Sequence, residues 1–244
     1  MNVDAAQSHA LFSKLAQDIR AQGYSVKSDA VPIALADSLL EELKATAPSR
    51  LQPAQMGRLE SKRKNQQLRG DSTLWITDES NAGADWLNWT GQLQTYLNRH
   101  LLLGLFSFES HYAHYPAGSA YTRHLDTFHT GSKRATAKNV ATNHGQSAQS
   151  HMQSQSQNSL QTASSRVLSL VAYLNRNWPE DAGGELMLYI ADGVVKVQPC
   201  HATLVVFLSD EFEHEVRPAS VDRFSVAGWF RRNTSDSNRV DPPN

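Results

Sequence analysis

The chain has 244 residues, 40% of them hydrophobic and 19% charged, with a formal net charge of -1. That length allows one large domain or two small ones with a sizeable core, and the near-zero charge excludes a bulk field favouring nucleic acid or a membrane surface. A single cysteine, Cys200, excludes an intramolecular disulfide and suits a reducing compartment. The N-terminal MNVDAAQSHALFSK has no basic stretch followed by a long apolar run, and no run of about 18 apolar residues follows anywhere. Neither a signal peptide nor a membrane span is expected, and the expected setting is cytoplasmic.

Leu11, Phe12, Leu15, Ala16 and Ile19 give residues 5–22 the spacing of an amphipathic helix. Leu35, Leu39, Leu40 and Leu43 repeat that spacing over 33–46. Residues 58–71, RLESKRKNQQLRGD, are polar and basic without an apolar period and read as a mobile loop leading into a short strand, STLWI. Trp86, Leu87, Leu93, Tyr96 and Leu97 predict another helix over 84–103. From Leu105 the period changes to two. FSFESHYAHY, YTRHLD, RVLSLVAYLN, ELMLYI, VVKVQP, ATLVVFLS and RFSVAGWF are short, β-branched or aromatic, and bounded by Gly, Pro, Asp or Asn. Strands so spaced, with no helices between them, predict a sandwich or barrel. Residues 1–104 then form a helical support sharing one core with an all-β part at 105–232, and 233–244 form a tail. An insertion at about 132–165 breaks the strand pattern. Its 143–165 part holds six Gln and seven Ser, which cannot bury enough apolar surface to offset ordering entropy. Disorder is expected there, with His144 and His151 as solvated loop residues.

In a strand, residues two apart face one side, so His124 and Asp126 of YTRHLD point together. A lone H-x-D arises often by chance and by itself favours an ordinary polar pair. Downstream, ATLVVFLS runs into an acidic turn and then His214. Two histidines and one carboxylate form the facial triad of non-haem iron(II) oxygenases, which leaves coordination positions open. Arg223 follows in the apolar strand RFSVAGWF. Facing inward, it needs an anion, because an unpaired buried charge is costly. A planar guanidinium suits a bidentate carboxylate such as one end of 2-oxoglutarate. The alternative is a surface arginine paired with Asp222. Ser225 shares its face.

The set HLD, His214, Arg223 and GWF resembles the Fe(II)/2-oxoglutarate-dependent dioxygenases, and within them the prolyl 4-hydroxylases, especially the hypoxia-sensing type and its bacterial relatives. The resemblance covers about 58–232 and includes LRGDSTLWI at 68–76, HYPAGSAYTRHLD at 114–126, VAYLNRNWPEDAGGELMLY at 171–189 and HEVRPASVDRFSVAGWF at 214–230. It implies an α+β chain with a double-stranded β-helix (jelly-roll, cupin-like) core and supporting N-terminal helices. It implies Fe(II) on His124, Asp126 and His214, and 2-oxoglutarate held by Arg223 with Tyr173, Tyr115 and Ser225. Tyr121, Arg123, Trp229 and Arg63 become candidate substrate contacts. For Tyr173 and Trp229, a purely packing role is the alternative. Gly183 and Gly184 form the turn into ELMLY. A threonine common in the family stands here as Ala227, removing one hydrogen bond to the co-substrate.

The activity so implied is 4-hydroxylation of a proline in a protein, consuming O2 and yielding succinate and CO2, with ascorbate as reductant. For a bacterial chain the resemblance suggests a translation factor as target. Hydroxylation of a free amino acid or other small molecule, and a non-catalytic cupin-like binding module, are the rival readings. Nucleic acid is not an expected partner, because no clustered basic strand accompanies the charge of -1. His129, His111, His114 and His201 are expected outside the metal site, and Cys200 is expected to be small and buried.

Overall fold

A computed structural model describes residues 3–53, 69–127 and 166–233, all within one unit. Expectations for Arg63, His129, the 132–165 insertion, its histidines and the tail beyond 233 lie outside the described residues.

Among the described residues, three α-helices back the sheets. Helix α1 (Val3–Gln22) buries Phe12, Leu15, Ala16 and Ile19, the positions its apolar spacing marks. It stops at Gly23, whose φ of +80° suits glycine. A Cβ there would also meet the Phe212 ring at 2.8 Å. Helix α2 (Ile33–Ala45) buries Ala36, Leu39, Leu40 and Leu43. Helix α3 (Asn81–Leu101) begins at Ser80, whose hydroxyl accepts from Gly83 N at 3.0 Å. It buries Trp86, Trp89, Leu93 and Leu97, and the Trp86 indole N–H donates to Ser110 Oγ at 3.0 Å.

Among the described residues, eleven strands form two antiparallel sheets: β1 (Tyr24–Lys27), β2 (Gln52–Pro53), β3 (Ser72–Trp75), β4 (Leu105–Tyr115), β5 (Tyr121–His124), β6 (Arg166–Tyr173), β7 (Leu186–Ile190), β8 (Gly193–Val197), β9 (Leu204–Leu208), β10 (His214–Val216) and β11 (Arg223–Arg232). One sheet has the order β1-β9-β6-β11-β4-β3-β2, the other β5-β10-β7-β8. This is the expected α+β chain with a double-stranded β-helix core.

Period two decides which way each strand residue faces. Leu168, Leu170, Ala172, Leu204, Val206, Val226 and Phe230 join the helices in one core cluster. Their neighbours Tyr173, Val205, Phe207, Ala113 and Tyr115 pack instead against Leu186, Leu188, Val197 and Val216 of the small sheet. Because the large sheet is buried on both faces, its strands read as near-continuous apolar runs. Each large apolar side chain so buried contributes about 1.5–3 kcal/mol. The polar residues that interrupt the inner face are therefore the ones to explain.

Three local expectations need correction. The loop expected at 58–71 is ordered at its end: Arg69 forms an isolated bridge with Tyr121, and Gly70 N donates to Ala120 O at 3.0 Å. A two-pronged ion pair holds it, with Arg69 Nε at 2.6 Å and Nη2 at 2.9 Å from the Asp71 carboxylate. Cys200 is exposed, because it lies in the reversal before β9 rather than on a strand. Asp126 lies in a bend, since β5 ends at His124, so pleat alternation does not bring it beside that histidine.

Candidate metal and co-substrate site

The site lies between the sheets. His214 opens β10 directly opposite His124, while Val216 is opposite Tyr121. One residue of β10, Glu215, thus faces two of β5, a bulge at Thr122 and Arg123. The extra residue puts Tyr121 and His124 on one face despite their three-residue separation. Their rings stack with centroids 3.7 Å apart.

Each histidine is oriented by the carbonyl two residues before it. His124 Nδ1 lies 2.8 Å from Thr122 O, and His214 Nδ1 lies 3.2 Å from Phe212 O. A carbonyl only accepts, so each Nδ1 carries a hydrogen, and Nε2 is the nitrogen left to bind a metal. The two Nε2 atoms face Asp126, at 3.6 Å from Oδ1 for His124 and 3.7 Å from Oδ2 for His214. One ligand atom from each residue falls within 4.8 Å of the others.

Burial pushes His214 down from the ordinary imidazole range, keeping it neutral as a ligand must be. Burial works against the Asp126 charge, but the rings of His124 and His214, the Ser169 hydroxyl and the Trp229 N–H outweigh it and hold the carboxyl well below its usual range. Ser169 donates to Asp126 Oδ2 at 2.6 Å. The Trp229 indole N–H is close enough to favour that charge without completing a hydrogen bond. One carboxylate and two imidazoles suit a divalent first-row cation.

Arg223 begins β11 and is only 3% exposed. Asp222 does not pair with it; that carboxylate binds His114 Nε2 at 2.9 Å and Ala117 N at 3.0 Å. Arg223 donates to the Gly184 carbonyl at 3.3 Å, and Gly184 is held at φ +76° in the expected turn. Its guanidinium lies 4.1 Å over the Tyr115 ring and 5.9 Å from that of Tyr173. Among the described residues it has no carboxylate partner, and both its Nε and the Tyr173 hydroxyl are buried without a hydrogen-bond partner. Burial raises Tyr173 to about 12, against the pull of Arg223, and also raises Tyr115. Both phenols therefore stay protonated as donors. A buried cation beside an orphan O–H donor fits the carboxylate end of 2-oxoglutarate. Ser225 sits in register with Tyr173 and Ala113 on the same inner face, and Ala227 with His111 and Val171.

Arg123, read as a substrate contact, has other partners. It binds Glu213, with Nε at 2.9 Å, and stacks 3.7 Å over Tyr189. Tyr189 adjoins the inward Leu188 and so points to the outer side of the small sheet. Trp229 lies between His111, 5.5 Å between ring centroids, and the Arg166 guanidinium, 3.6 Å above it. The sequence reading missed the Ser169 bond to Asp126 and the Arg69–Asp71 pair. Ser169 was legible as sharing the Tyr173 face, but nothing in one strand names its partner across the barrel.

The family model described as the 2OG-Fe(II) oxygenase superfamily matches residues 110–231, a span containing His124, Asp126, His214 and Arg223. Among solved structures, a Pseudomonas putida prolyl-4-hydroxylase is similar at 32% identity, covering 91% of this chain and 98% of that one with a TM-score of 0.69. A prolyl hydroxylase in complex with a hypoxia inducible factor oxygen degradation domain peptide fragment, from Trichoplax adhaerens, matches at 21% identity over 95% and 93% of the two chains, with a TM-score of 0.71. A viral collagen prolyl hydroxylase from Paramecium Bursaria Chlorella virus-1, a 2OG complex, matches at 14% identity over 87% and 98%, with a TM-score of 0.54. The last two likenesses speak to the fold.

Proposed function

This chain belongs to the 2OG-Fe(II) oxygenase superfamily, and from that premise we propose that it is a prolyl 4-hydroxylase acting on proline within a protein or peptide. Fe(II) and 2-oxoglutarate are its cofactor and co-substrate. The observation that carries the reading is the buried Arg223, without a carboxylate partner among the described residues and beside the orphan Tyr173 hydroxyl, with Phe207 packed both in the cluster of Tyr115 and Tyr173 and against the His214 ring of the His124, Asp126 and His214 group. The near full-length likeness to the Pseudomonas putida prolyl-4-hydroxylase supports the prolyl specificity, and the peptide complex among the similar structures supports a peptidyl substrate.

In this reading His124 and His214 hold Fe(II) through Nε2 and Asp126 through its carboxylate. Arg223 forms a two-pronged, charge-assisted contact with the far carboxylate of 2-oxoglutarate, and Tyr173 donates a further hydrogen bond to it. Phe207 and Val216 border this space and keep water from the reacting groups. The bound iron, with 2-oxoglutarate and O2, supplies the oxidation that yields succinate, CO2 and hydroxyproline. Tyr121, on the ring of His124, and Trp229 are assigned to the target residue on family resemblance. Ascorbate as reductant, Arg63 as a substrate contact and a translation factor as target belong to the same proposal and rest on family resemblance.

Incubation with Fe(II), 2-oxoglutarate and a proteome extract, followed by mass spectrometry, tests it. The expected result is a peptidyl proline heavier by one oxygen at C4, with stoichiometric succinate. Free proline hydroxylated as fast as any protein would overturn the protein-substrate reading.

A further inference from the structure

Asp126 is the ligand that no strand holds. His124 ends β5 and His214 opens β10, and a backbone carbonyl fixes each ring. Asp126 sits in the bend beyond β5, so side chains must orient its carboxylate. Ser169 Oγ lies 2.6 Å from Asp126 Oδ2, and Ser209 Oγ lies 2.9 Å from Ser169 Oγ. Both serines are at most 1% exposed. They stand on neighbouring chain segments: Leu168 is paired with Leu208 across β6 and β9, and Ser209 N donates to Val167 O at 3.0 Å. The backbone thus fixes the spacing of the two hydroxyls.

Counting hydrogens gives this chain a direction. An ionised carboxylate has none and only accepts. Ser169 has a single hydroxyl hydrogen, which goes to Asp126. The contact between the serines must then be donated by Ser209. Donation from Ser209 polarises the Ser169 hydroxyl and strengthens its bond to Asp126, as expected for hydrogen bonds in series in a dry interior.

We propose that Ser209 and Ser169 are positioning residues, a directed chain Ser209→Ser169→Asp126 that engages Oδ2, fixes the orientation of the carboxylate that would hold the metal and so sets metal affinity. The proposal rests on the iron-site reading above. It adds that Ser209, which contacts no ligand, acts on the metal through Ser169 alone. Loss of a hydrogen-bond partner behind a metal ligand typically weakens binding about 10- to 100-fold.

The test is Mn(II) binding to the metal-free full chain, followed by electron paramagnetic resonance. Ser169→Ala should weaken binding about tenfold and Ser209→Ala about threefold. The double variant should match Ser169→Ala, because Ser209 has no other route to Asp126. Ser169→Thr, which keeps the hydroxyl on a strand-compatible residue, should return affinity close to wild type. A purely structural role for the serines would make the two losses multiply and would give no rescue specific to the hydroxyl. Wild-type binding that is lost in His214→Ala but unchanged in Ser209→Ala, or a double variant equal to the product of the singles, overturns the directed chain alone. A wild-type protein that binds no Mn(II) overturns the metal site and the chain together.

Discussion

His124 and His214 are direct partners across the β5–β10 pair, with ring centroids 4.2 Å apart. Each strand carries its histidine by main-chain pairing, and each imidazole is oriented by the backbone carbonyl two residues before it. Neither ring is needed to hold the strands together. His124→Ala, Asp126→Ala and His214→Ala should therefore each abolish turnover and weaken Fe(II) binding while circular dichroism stays that of the wild type. Near-normal turnover with iron in any one of them would remove that residue from the ligand set.

Arg223 is a charge waiting for a counter-charge, flanked by two protonated phenols. A bidentate, charge-assisted contact contributes about 1.5–3 kcal/mol, or roughly 10- to 150-fold in affinity. Arg223→Ala should raise the 2-oxoglutarate requirement by that factor and leave Fe(II) binding nearly unchanged. Tyr173→Phe removes one neutral hydrogen bond and should cost about 1 kcal/mol, near fivefold. Initial rates against 2-oxoglutarate concentration check both, and an unchanged dependence in Arg223→Ala would remove the co-substrate assignment.

His111 makes an acid-sensitive contribution outside the metal site. Burial, with the Arg69 charge nearby, lowers it to about 4, between Trp75 and Trp229. The unfolded chain binds that proton near 6.5, so between about pH 6.5 and 4 the unfolded state holds more protons. Stability is full above that window and falls as pH drops through it, by about 2 kcal/mol at pH 5. Asp126 is shifted down from 3.8, so its contribution is lost only below about pH 4 and is separable. His111→Gln should flatten the fall in the urea midpoint between pH 7 and pH 5. An equally steep fall in the variant would place the acid sensitivity elsewhere.

Much of this site was legible because alternation works along a single strand. Odd-numbered positions of β6 and β11 put Tyr173, Arg223 and Ser225 on the inner face, and the apolar even positions confirm the phase. Two features escaped for a shared reason. The bulge at Thr122 and Arg123 is a register relation between β5 and β10, strands about 90 residues apart, and no pattern within YTRHLD reveals it. It stacks Tyr121 on His124 and leaves Arg123 on the outer side with Glu213. The Ser169 bond to Asp126 likewise joins a strand to a bend 43 residues away. Arg69 and Asp71 read as loop because their neighbours are polar, whereas the order comes from a local ion pair that hydropathy does not register.

The last prediction concerns how a protein substrate is held. Lys62, Arg63 and Lys64 precede Arg69 in the sequence, and Arg69 is bridged to Tyr121, whose ring lies on His124. The chain therefore enters the described structure beside the metal-facing histidine. The Arg69 guanidinium, 4.8 Å over the Tyr121 ring and bound to Asp71, anchors that entry point. A basic triplet in the sequence before Arg69 offers charge suited to acidic or carbonyl-rich surface of a peptide, and is separate from the residues assigned to 2-oxoglutarate. Replacing Lys62, Arg63 and Lys64 with Ser should raise the peptide KM and spare the 2-oxoglutarate KM. Exposed charge contacts are weak singly, about 0–1 kcal/mol each, so the combined rise should be roughly 3- to 30-fold and should shrink with added salt. Arg69→Ala, by contrast, leaves Asp71 buried without its partner and should lower the melting temperature. If the triple replacement leaves the peptide KM unchanged at low salt, the basic stretch has no part in substrate binding.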